Sequence, residues 1–190
     1  MSLRISMIAL LVLTVVPAPG SAQAVHGISV EGERWSIDSG SMGSAETRTG
    51  VGFGIGQWSS AGFARARVGW VPQGDVQPGW LTLAFEAGPR LSLGDRVGVG
   101  VRAGVGALRM NTGNRRQVID DCSLQPGCFF EAPGFDEGWG LLLDGGVVGS
   151  VELLPALALT GEYGRSRITS GANAGEVLPH VKFGIVYRPR

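Results

Sequence analysis

The sequence predicts an all-β fold, an eight-stranded antiparallel up-and-down β-barrel that follows a cleaved signal peptide. Three observations predict it. Eight segments alternate apolar residues with glycine or charged residues, which is the period of a strand because successive side chains point to opposite faces. The connections between these segments are alternately long and short. The amino terminus has the form of an export signal.

The clearest alternation lies in Arg96–Met110, RVGVGVRAGVGALRM. Over residues 96–107 of this segment, valine and alanine occupy one parity, and glycine and arginine occupy the other. Its length exceeds the roughly 9–11 residues that a tilted strand needs to cross a bilayer. We expect one face to meet lipid (Val97, Val99, Val101 and Val105) and the other to meet a filled lumen (Arg96 and Arg102).

Met1–Ala24 is predicted to be a secretory signal, and residues 25–190 to form a single barrel domain. A basic residue precedes the apolar run Ile5–Val16, and Ala22-Gln23-Ala24 is a small-residue cleavage site, with cleavage after Ala22 as the alternative. The apolar run is too short to span a membrane as a helix. No later stretch reaches 18 consecutive apolar residues, which excludes a helical membrane protein after cleavage.

The composition argues against several classes of protein. Lys and Arg number 16, Asp and Glu also number 16, and the signal removes only Arg4, so no basic excess indicates nucleic-acid binding. The 32 glycines have no collagen period. Many of them alternate with Val, Phe or Ile inside strand-like runs such as GVGFGIG. A phosphate-binding loop would be followed by a helix, and no helical pattern follows these runs, so the glycines do not indicate such a loop.

Seven further segments are predicted to be strands: His26–Asp38, Thr47–Trp58, Gly62–Val71, Trp80–Leu91, Trp139–Leu153, Ala156–Ile168 and Leu178–Arg190. The long connections are 39–46, 72–79, 111–138 and 169–177, and the short ones are 59–61, 92–95 and 154–155. If both termini lie at one end of the barrel, every long connection lies at the other end. Outer-membrane barrels are built in this way, with short periplasmic turns and long outer loops.

The pattern resembles the small eight-stranded outer-membrane β-barrel proteins of bacteria over the whole of residues 25–190. The resemblance rests on the export signal, the eight runs, the sorted connections and the last strand, HVKFGIVYRPR. That strand is similar to the one that such barrels present to their insertion machinery. The chain departs from the family in ending on Arg188-Pro189-Arg190 rather than on an aromatic residue. The resemblance implies an outer-membrane location, with outer-membrane lipid and the insertion machinery as partners, and no particular activity.

Alternation alone fits two kinds of barrel. In a soluble periplasmic, lipocalin-like barrel the apolar face lines a ligand cavity and the polar face is wet. In a membrane barrel the two faces are exchanged. The polar face here is mostly glycine with widely spaced Arg and Glu. This composition favours a narrow lumen, in which glycine leaves room for long arginine side chains, over a solvated surface.

A set of charged residues is expected to share the lumen face: Arg65, Arg67, Glu86, Arg90, Arg96, Arg102, Asp144, Glu152, Glu162 and Lys182. Buried charges must pair, and an eight-stranded barrel is just wide enough for side chains to fill. We therefore expect a salt-bridged plug, with a narrow polar channel as the alternative.

Aromatic residues are expected to mark the membrane interfaces. Four of them share the apolar parity and are predicted to form an aromatic girdle: Trp70, Trp139, Tyr163 and Tyr187. Three tryptophans have the opposite parity: Trp35, Trp58 and Trp80. Bulges could shift these three, or they could plug the lumen, or they could be ordinary packing residues.

Cys122 and Cys128 are the only cysteines, and in an exported chain they are predicted to form a disulfide. We expect no metal site, because no further Cys or His lies nearby and the acidic pairs Asp120-Asp121 and Asp136-Glu137 lack the spacing of a calcium loop.

Catalysis is not expected. His180 could meet Ser166 or Ser170 and Glu162 near the loop end of the barrel, but no motif spacing supports a catalytic site. We expect a non-enzymatic monomer without a cofactor, with a structural or surface-interaction role and with its specificity in the outer loops, chiefly 111–138. The surface ligand is not specified. A soluble periplasmic ligand-binding barrel and a narrow channel are the alternatives.

Overall fold

The computed structural model describes residues 24–38, 45–73, 79–111 and 137–189. They form eight strands: β1 (Val25–Asp38), β2 (Ala45–Trp58), β3 (Gly62–Val71), β4 (Gly79–Leu93), β5 (Val97–Asn111), β6 (Gly138–Leu154), β7 (Leu157–Gly171) and β8 (Val177–Tyr187). The eight predicted segments match these strands, and their ends differ by a few residues. Within the described ranges, no helix is long and apolar enough to cross a membrane.

The strands form one closed barrel in chain order, and β1 pairs with β8 to complete it. Every neighbouring pair is antiparallel. Closure leaves no strand edge free to pair with another chain. The short connections lie at the end where the barrel starts and finishes, which we call the termini end, and the long ones join strands at the opposite, loop end. The predicted fold class is confirmed.

The barrel turns its large apolar side chains outward. On β5, the side chain of Val101 is 54% exposed, whereas that of its neighbour Arg102 is 3% exposed. Val97 and Val99 are also exposed, and Val105, further along the same face, is half-buried. All eight strands carry exposed apolar residues of this kind, among them Val30, Phe53, Trp70, Leu83, Val147, Leu159 and Phe183. The apolar face is therefore the exterior, as the membrane interpretation predicts.

The interior is filled in three layers. At the loop end lies the outer apolar cluster, made of Trp35, Ile37, Val71, Trp80, Leu108, Met110, Leu142, Ile168 and Leu178. Below it lies the central charge cluster, made of Glu31, Glu33, Arg65, Arg67, Glu86, Arg102, Asp144, Glu162 and Lys182. Nearer the termini end, the inner apolar cluster consists of Trp58, Phe63 and Val186. The three tryptophans of opposite parity thus plug the lumen.

Inward-facing glycines provide the space that the long cationic side chains occupy. A Cβ atom at Gly52 would lie 2.6 Å from Nη2 of Arg67, and one at Gly164 would lie 2.6 Å from Nη2 of Arg102. Both distances are too short for a real contact. Glu33 at the first position and the backbone carbonyl of Gly145 at the second also lie within 3.0 Å, so a side chain at either position would displace more than the arginine. Glycine in the strand interior, which ordinarily weakens a sheet, has a packing reason here.

Candidate functional site: the charged interior and the outer surface

Arg65 on β3 is bonded to carboxylates from three other strands. Its Nη2 lies 2.5 Å from Oε2 of Glu86 on β4 and 2.7 Å from Oε1 of Glu162 on β7, and its Nη1 pairs with Glu31 on β1. The side chains of all four residues are almost fully buried. One guanidinium therefore ties four strands together through its fixed fork of donors.

Arg102 on β5 makes a second junction of the same kind. Its Nη1 lies 2.6 Å from Oδ2 of Asp144 and 3.2 Å from Oε1 of Glu86, and its Nε lies 3.0 Å from Oε2 of Glu162. Lys182 on β8 donates to Oε1 of Glu86 at 2.9 Å. Glu86 is thus shared by the cations Arg65, Arg102 and Lys182, which links both junctions into one network.

The third junction involves two carboxylates that the sequence reasoning left out of the lumen set. Arg67 lies 3.0 Å from Oε2 of Glu31 through its Nε, and its Nη2 pairs with Glu33. The indole of Trp35 donates to Oε2 of Glu33 at 2.8 Å. The parity of β1 was the signal that could have found Glu31 and Glu33, since they lie opposite Ile28 and Val30.

Two of the charged residues predicted to share the lumen face lie apart from the central charge cluster. These are Arg90 and Glu152, at the termini end. Nη2 of Arg90 lies 3.4 Å from Oε1 of Glu152, and Nη2 of Arg188 lies 3.2 Å from the same oxygen. A cavity of about 30 Å³ lies between this pairing and the inner apolar cluster, with Arg65 and Glu162 on its central side. That volume suits one or two water molecules rather than a ligand.

The assignment of Arg96 to the lumen is wrong. Arg96 lies in the turn between β4 and β5, before β5 begins at Val97, and it is exposed. Strand parity does not apply in a turn, because the alternation of faces requires an extended backbone.

His180 on β8 lies between the central charge cluster and the outer apolar cluster. Its Nε2 accepts a hydrogen bond from Nη2 of Arg102 at 2.6 Å, and its ring packs on that of Trp35 with 4.5 Å between centroids. Oγ of Ser166 lies 3.5 Å from Nδ1 of His180. The structure thus brings His180 and Ser166 together, whereas Ser170 is exposed. His180 and Ser166 are buried within a filled lumen, in a position that suits packing better than substrate access.

The predicted girdle residues all face outward, at different heights. Trp70 and Trp139 lie near the loop end of β3 and β6, and Tyr187 lies at the termini end of β8. Arg109 stacks over Trp139 with its guanidinium carbon 5.9 Å from the ring centroid. The prediction that Tyr163 belongs to the girdle is wrong. Tyr163 is paired with Val147 and Val181 near the middle of β7, so it lies in the apolar belt and not at a rim.

Two predictions concern residues outside the described ranges. Cys122 and Cys128, with the acidic pair Asp120-Asp121, lie in the segment 112–136, which is not described. Within the part of the chain that the structure does describe, no group of three or more His, Cys, Asp and Glu side chains could hold a metal ion.

The fold and the arrangement of side chains define a class: a closed eight-stranded antiparallel β-barrel with an apolar exterior and a charged, filled interior. No protein-family model matches the chain, and no curated protein matches it in sequence. Among solved structures, the chain is similar to Neisserial surface protein A, with a TM-score of 0.62 and 11% identity over 88% of this chain and 99% of that one.

The chain is also similar to Ail, the attachment invasion locus protein of Yersinia pestis. The TM-score is 0.54, with 11% identity over 88% of this chain and 99% of that one. A structure of Ail in complex with the heparin analogue sucrose octasulfate gives a TM-score of 0.51 at 12% identity. At these identities the likeness concerns the fold. This likeness confirms that the chain has the fold of the small eight-stranded outer-membrane barrels.

Proposed function

We propose that this chain is a non-enzymatic β-barrel of the bacterial outer membrane, with a surface-interaction role carried by its outer loops, chiefly 111–138. The observation that carries the membrane placement is the inversion of the usual arrangement of side chains. Apolar residues such as Val101 and Phe53 point outward on every strand, whereas Arg65, Glu86 and Arg102 are buried inside. Such an arrangement is stable when the surrounding solvent is lipid.

The exterior argues against the soluble periplasmic alternative. A soluble protein rarely exposes a continuous apolar surface beyond a few hundred Å², and here exposed valine, leucine, isoleucine and phenylalanine side chains surround the barrel. A lipocalin-like barrel would also need an apolar cavity for its ligand. The described interior holds the central charge cluster at the corresponding position.

The filling of the lumen argues against a channel. The outer apolar cluster, the central charge cluster and the inner apolar cluster follow one another from the loop end to the termini end. A path for ions would have to pass through packed aromatic rings and then break the ion pair of Arg65 with Glu162 across the lumen and that of Arg102 with Asp144.

The surface role is supported by the position and size of the connections. The segment 112–137 between β5 and β6 is the longest, and it joins strands at the loop end. Two similar solved proteins are called a surface protein and an attachment invasion locus protein, which favours a comparable role on this fold. We further propose a monomer that is exported by the signal Met1–Ala24, inserted by the outer-membrane machinery and free of any cofactor.

Membrane placement is tested by fractionating cells that express the full chain. We expect recovery with the outer membrane, release by detergent only, and a gel mobility that changes on heating because a closed barrel resists unfolding by detergent. Recovery in the soluble periplasm without detergent would contradict the proposal.

The role of the long loop is tested by replacing residues 112–136 with a short Gly-Ser turn. The variant is expected to keep its heat-sensitive mobility and to lose adhesion of intact cells to immobilised extracellular-matrix proteins and glycosaminoglycans. A matched control replaces residues 39–44 in the same way and keeps most of the adhesion. Adhesion that is absent from the unaltered protein, or unchanged by the 112–136 replacement, would remove the surface-interaction role while leaving the membrane placement intact.

A further inference from the structure

Besides Arg109 on β5, three arginines face outward on strands whose outer face is largely apolar. Arg34 on β1 and both Arg165 and Arg167 on β7 are exposed. They flank β8 from its two sides, because β8 pairs with β1 and with β7. Neighbouring strands are about 4.8 Å apart, so β1 and β7 are about 10 Å apart across β8, and arginines from the two strands can reach one ligand between them. We call these three residues the outward arginines.

The outward arginines have no anionic partner in the described parts of the chain. None of them forms an ion pair there, and Glu176, exposed in the turn between β7 and β8, does not reach them. The strand carboxylates whose side chains are described all point inward: Glu31, Glu33, Glu86, Asp144, Glu152 and Glu162. Among the described side chains of β1, β7 and β8, those that carry a full charge on the outer face are therefore all cationic.

The outward arginines lie at one edge of the apolar belt. On β7, the outward residues run from Leu157 at the termini end through Leu159 and Tyr163 to Arg165 and Arg167. The rise from Leu157 to Arg167 along a strand tilted by about 40° is about 25 Å, which is the height of the apolar band of such barrels. Arg167 is thus at the level expected for lipid headgroups on the loop side.

The surface between the outward arginines is apolar and shallow. Across β8 it is formed by the side chains of Val177, Pro179 and Val181. Below them Phe183 projects with 68% of its surface exposed, and Gly32 beside it on β1 carries no side chain. The region therefore offers cations at the headgroup level and an apolar surface directly beneath, which is the shape of an amphipathic lipid.

We propose that the outward arginines bind the phosphate of a lipid in the outer leaflet, with its acyl chains against Phe183 and the neighbouring strands. This inference rests on the proposed membrane placement. Guanidinium groups bind phosphate oxygens in a bidentate way, and cations at a lipid surface are stabilised when the headgroups are anionic. Arg165 lies slightly inside the belt and reaches the headgroup level by extending its side chain along the barrel.

The test is a titration of the detergent-folded full chain with diphosphoryl lipid A and with its dephosphorylated form, with bound lipid counted by native mass spectrometry. We expect a preference of about tenfold or more for the phosphorylated lipid. An arginine at an anionic lipid surface contributes about fivefold in affinity, so Arg34→Gln with Arg165→Gln and Arg167→Gln should remove most of that preference. The matched control is Arg109→Gln, which alters an exposed arginine at the loop end of β5, on a different side of the barrel.

Each outcome decides between specific interpretations. Equal binding of both lipid forms, or an equal loss in the Arg109→Gln control, would overturn the site. Full competition by millimolar inorganic phosphate would indicate a phosphate-ion site and not a lipid site. A heat-sensitive gel mobility, measured on every variant, separates the two proposals: loss of lipid preference in an inserted barrel removes this site alone, whereas failure of the unaltered chain to insert removes the membrane placement as well.

Discussion

Arg65 on β3 and Glu162 on β7 pair across the lumen, with Nη2 of the arginine 2.7 Å from Oε1 of the glutamate. These two strands lie on opposite walls of the eight-stranded ring, with three strands between them in either direction. The pair therefore fixes the width of the barrel at its centre. The filled lumen leaves no open path for ions, and its buried charges are stabilised because each one is paired.

Removing the Arg65 cation should strongly destabilise the barrel. Arg65→Met leaves Glu31, Glu86 and Glu162 short of a buried partner, which typically costs about 3–5 kcal/mol. The free energy of unfolding is measured by denaturant titration in lipid vesicles, followed by tryptophan fluorescence. Arg96→Met is the control and should change this free energy by less than about 0.5 kcal/mol, because Arg96 is exposed in a turn. Equal effects of the two substitutions would refute the structural role of the central charge cluster.

Two adjacent glycines on β6 should respond oppositely to alanine. A Cβ at Gly146 would lie 2.8 Å from Cα of Gly164, whereas one at Gly145 has no neighbour nearer than 3.9 Å. Gly146→Ala is expected to cost about 1–3 kcal/mol by overpacking the β6–β7 ladder. Gly145→Ala should be neutral or stabilising by up to about 1 kcal/mol, since alanine restricts the unfolded chain. The same unfolding titration compares them, and a larger loss for Gly145→Ala would contradict the assigned faces.

Opening the loop end of the lumen should not create a conducting pore. Trp35→Ala removes a side chain that packs on Trp80 and His180, and large-to-small changes of this kind cost about 3–5 kcal/mol. The central charge cluster still closes the lumen beneath it. Planar-bilayer recordings should therefore show no stable conductance for either the unaltered chain or the variant. Regular conductance steps in the variant alone would contradict this prediction, because they would show that the outer apolar cluster, and not the central charge cluster, blocks the passage of ions.

The cysteines are predicted to be oxidised in the exported protein. A disulfide between Cys122 and Cys128 would close a loop of five intervening residues, and an oxidising compartment favours such a bond. Intact-mass measurement before and after reduction should show a gain of two hydrogen atoms. Alkylation of both thiols without prior reduction would show that they are free.

The faces of the barrel could be predicted from sequence because the period of a strand is set by its backbone. The alternation in β5 therefore predicts that Val101 points outward and Arg102 inward, as the structure shows. The same rule predicts that Glu31 and Glu33 point inward, but the alternation in β1 is weaker than that in β5, which makes this prediction harder to recognise. The prediction for Arg96 is wrong because β5 begins one residue later, at Val97, and strand alternation does not extend into a turn.

Heights within the barrel could not be predicted, because they depend on the register between strands. Tyr163 has the parity of a girdle residue, yet its pairing with Val147 and Val181 puts it at mid-height. The contact of His180 with Trp35 has the same origin, since they become partners only through the pairing of β1 with β8. Parity predicts the direction of a side chain, and register decides which side chains meet.

The most direct test of the central claim is the free energy of unfolding of Val101→Arg in lipid vesicles. Val101 is 54% exposed on the outer face of β5 and pairs with Val147, which in turn pairs with Tyr163 in the apolar belt. An arginine facing lipid near the bilayer centre costs about 2–4 kcal/mol, whereas Val101→Leu, the control, should have little effect. We predict a loss of that size for Val101→Arg alone. If Val101→Arg were as stable as the control, the outer face would meet water, and the membrane placement would be contradicted.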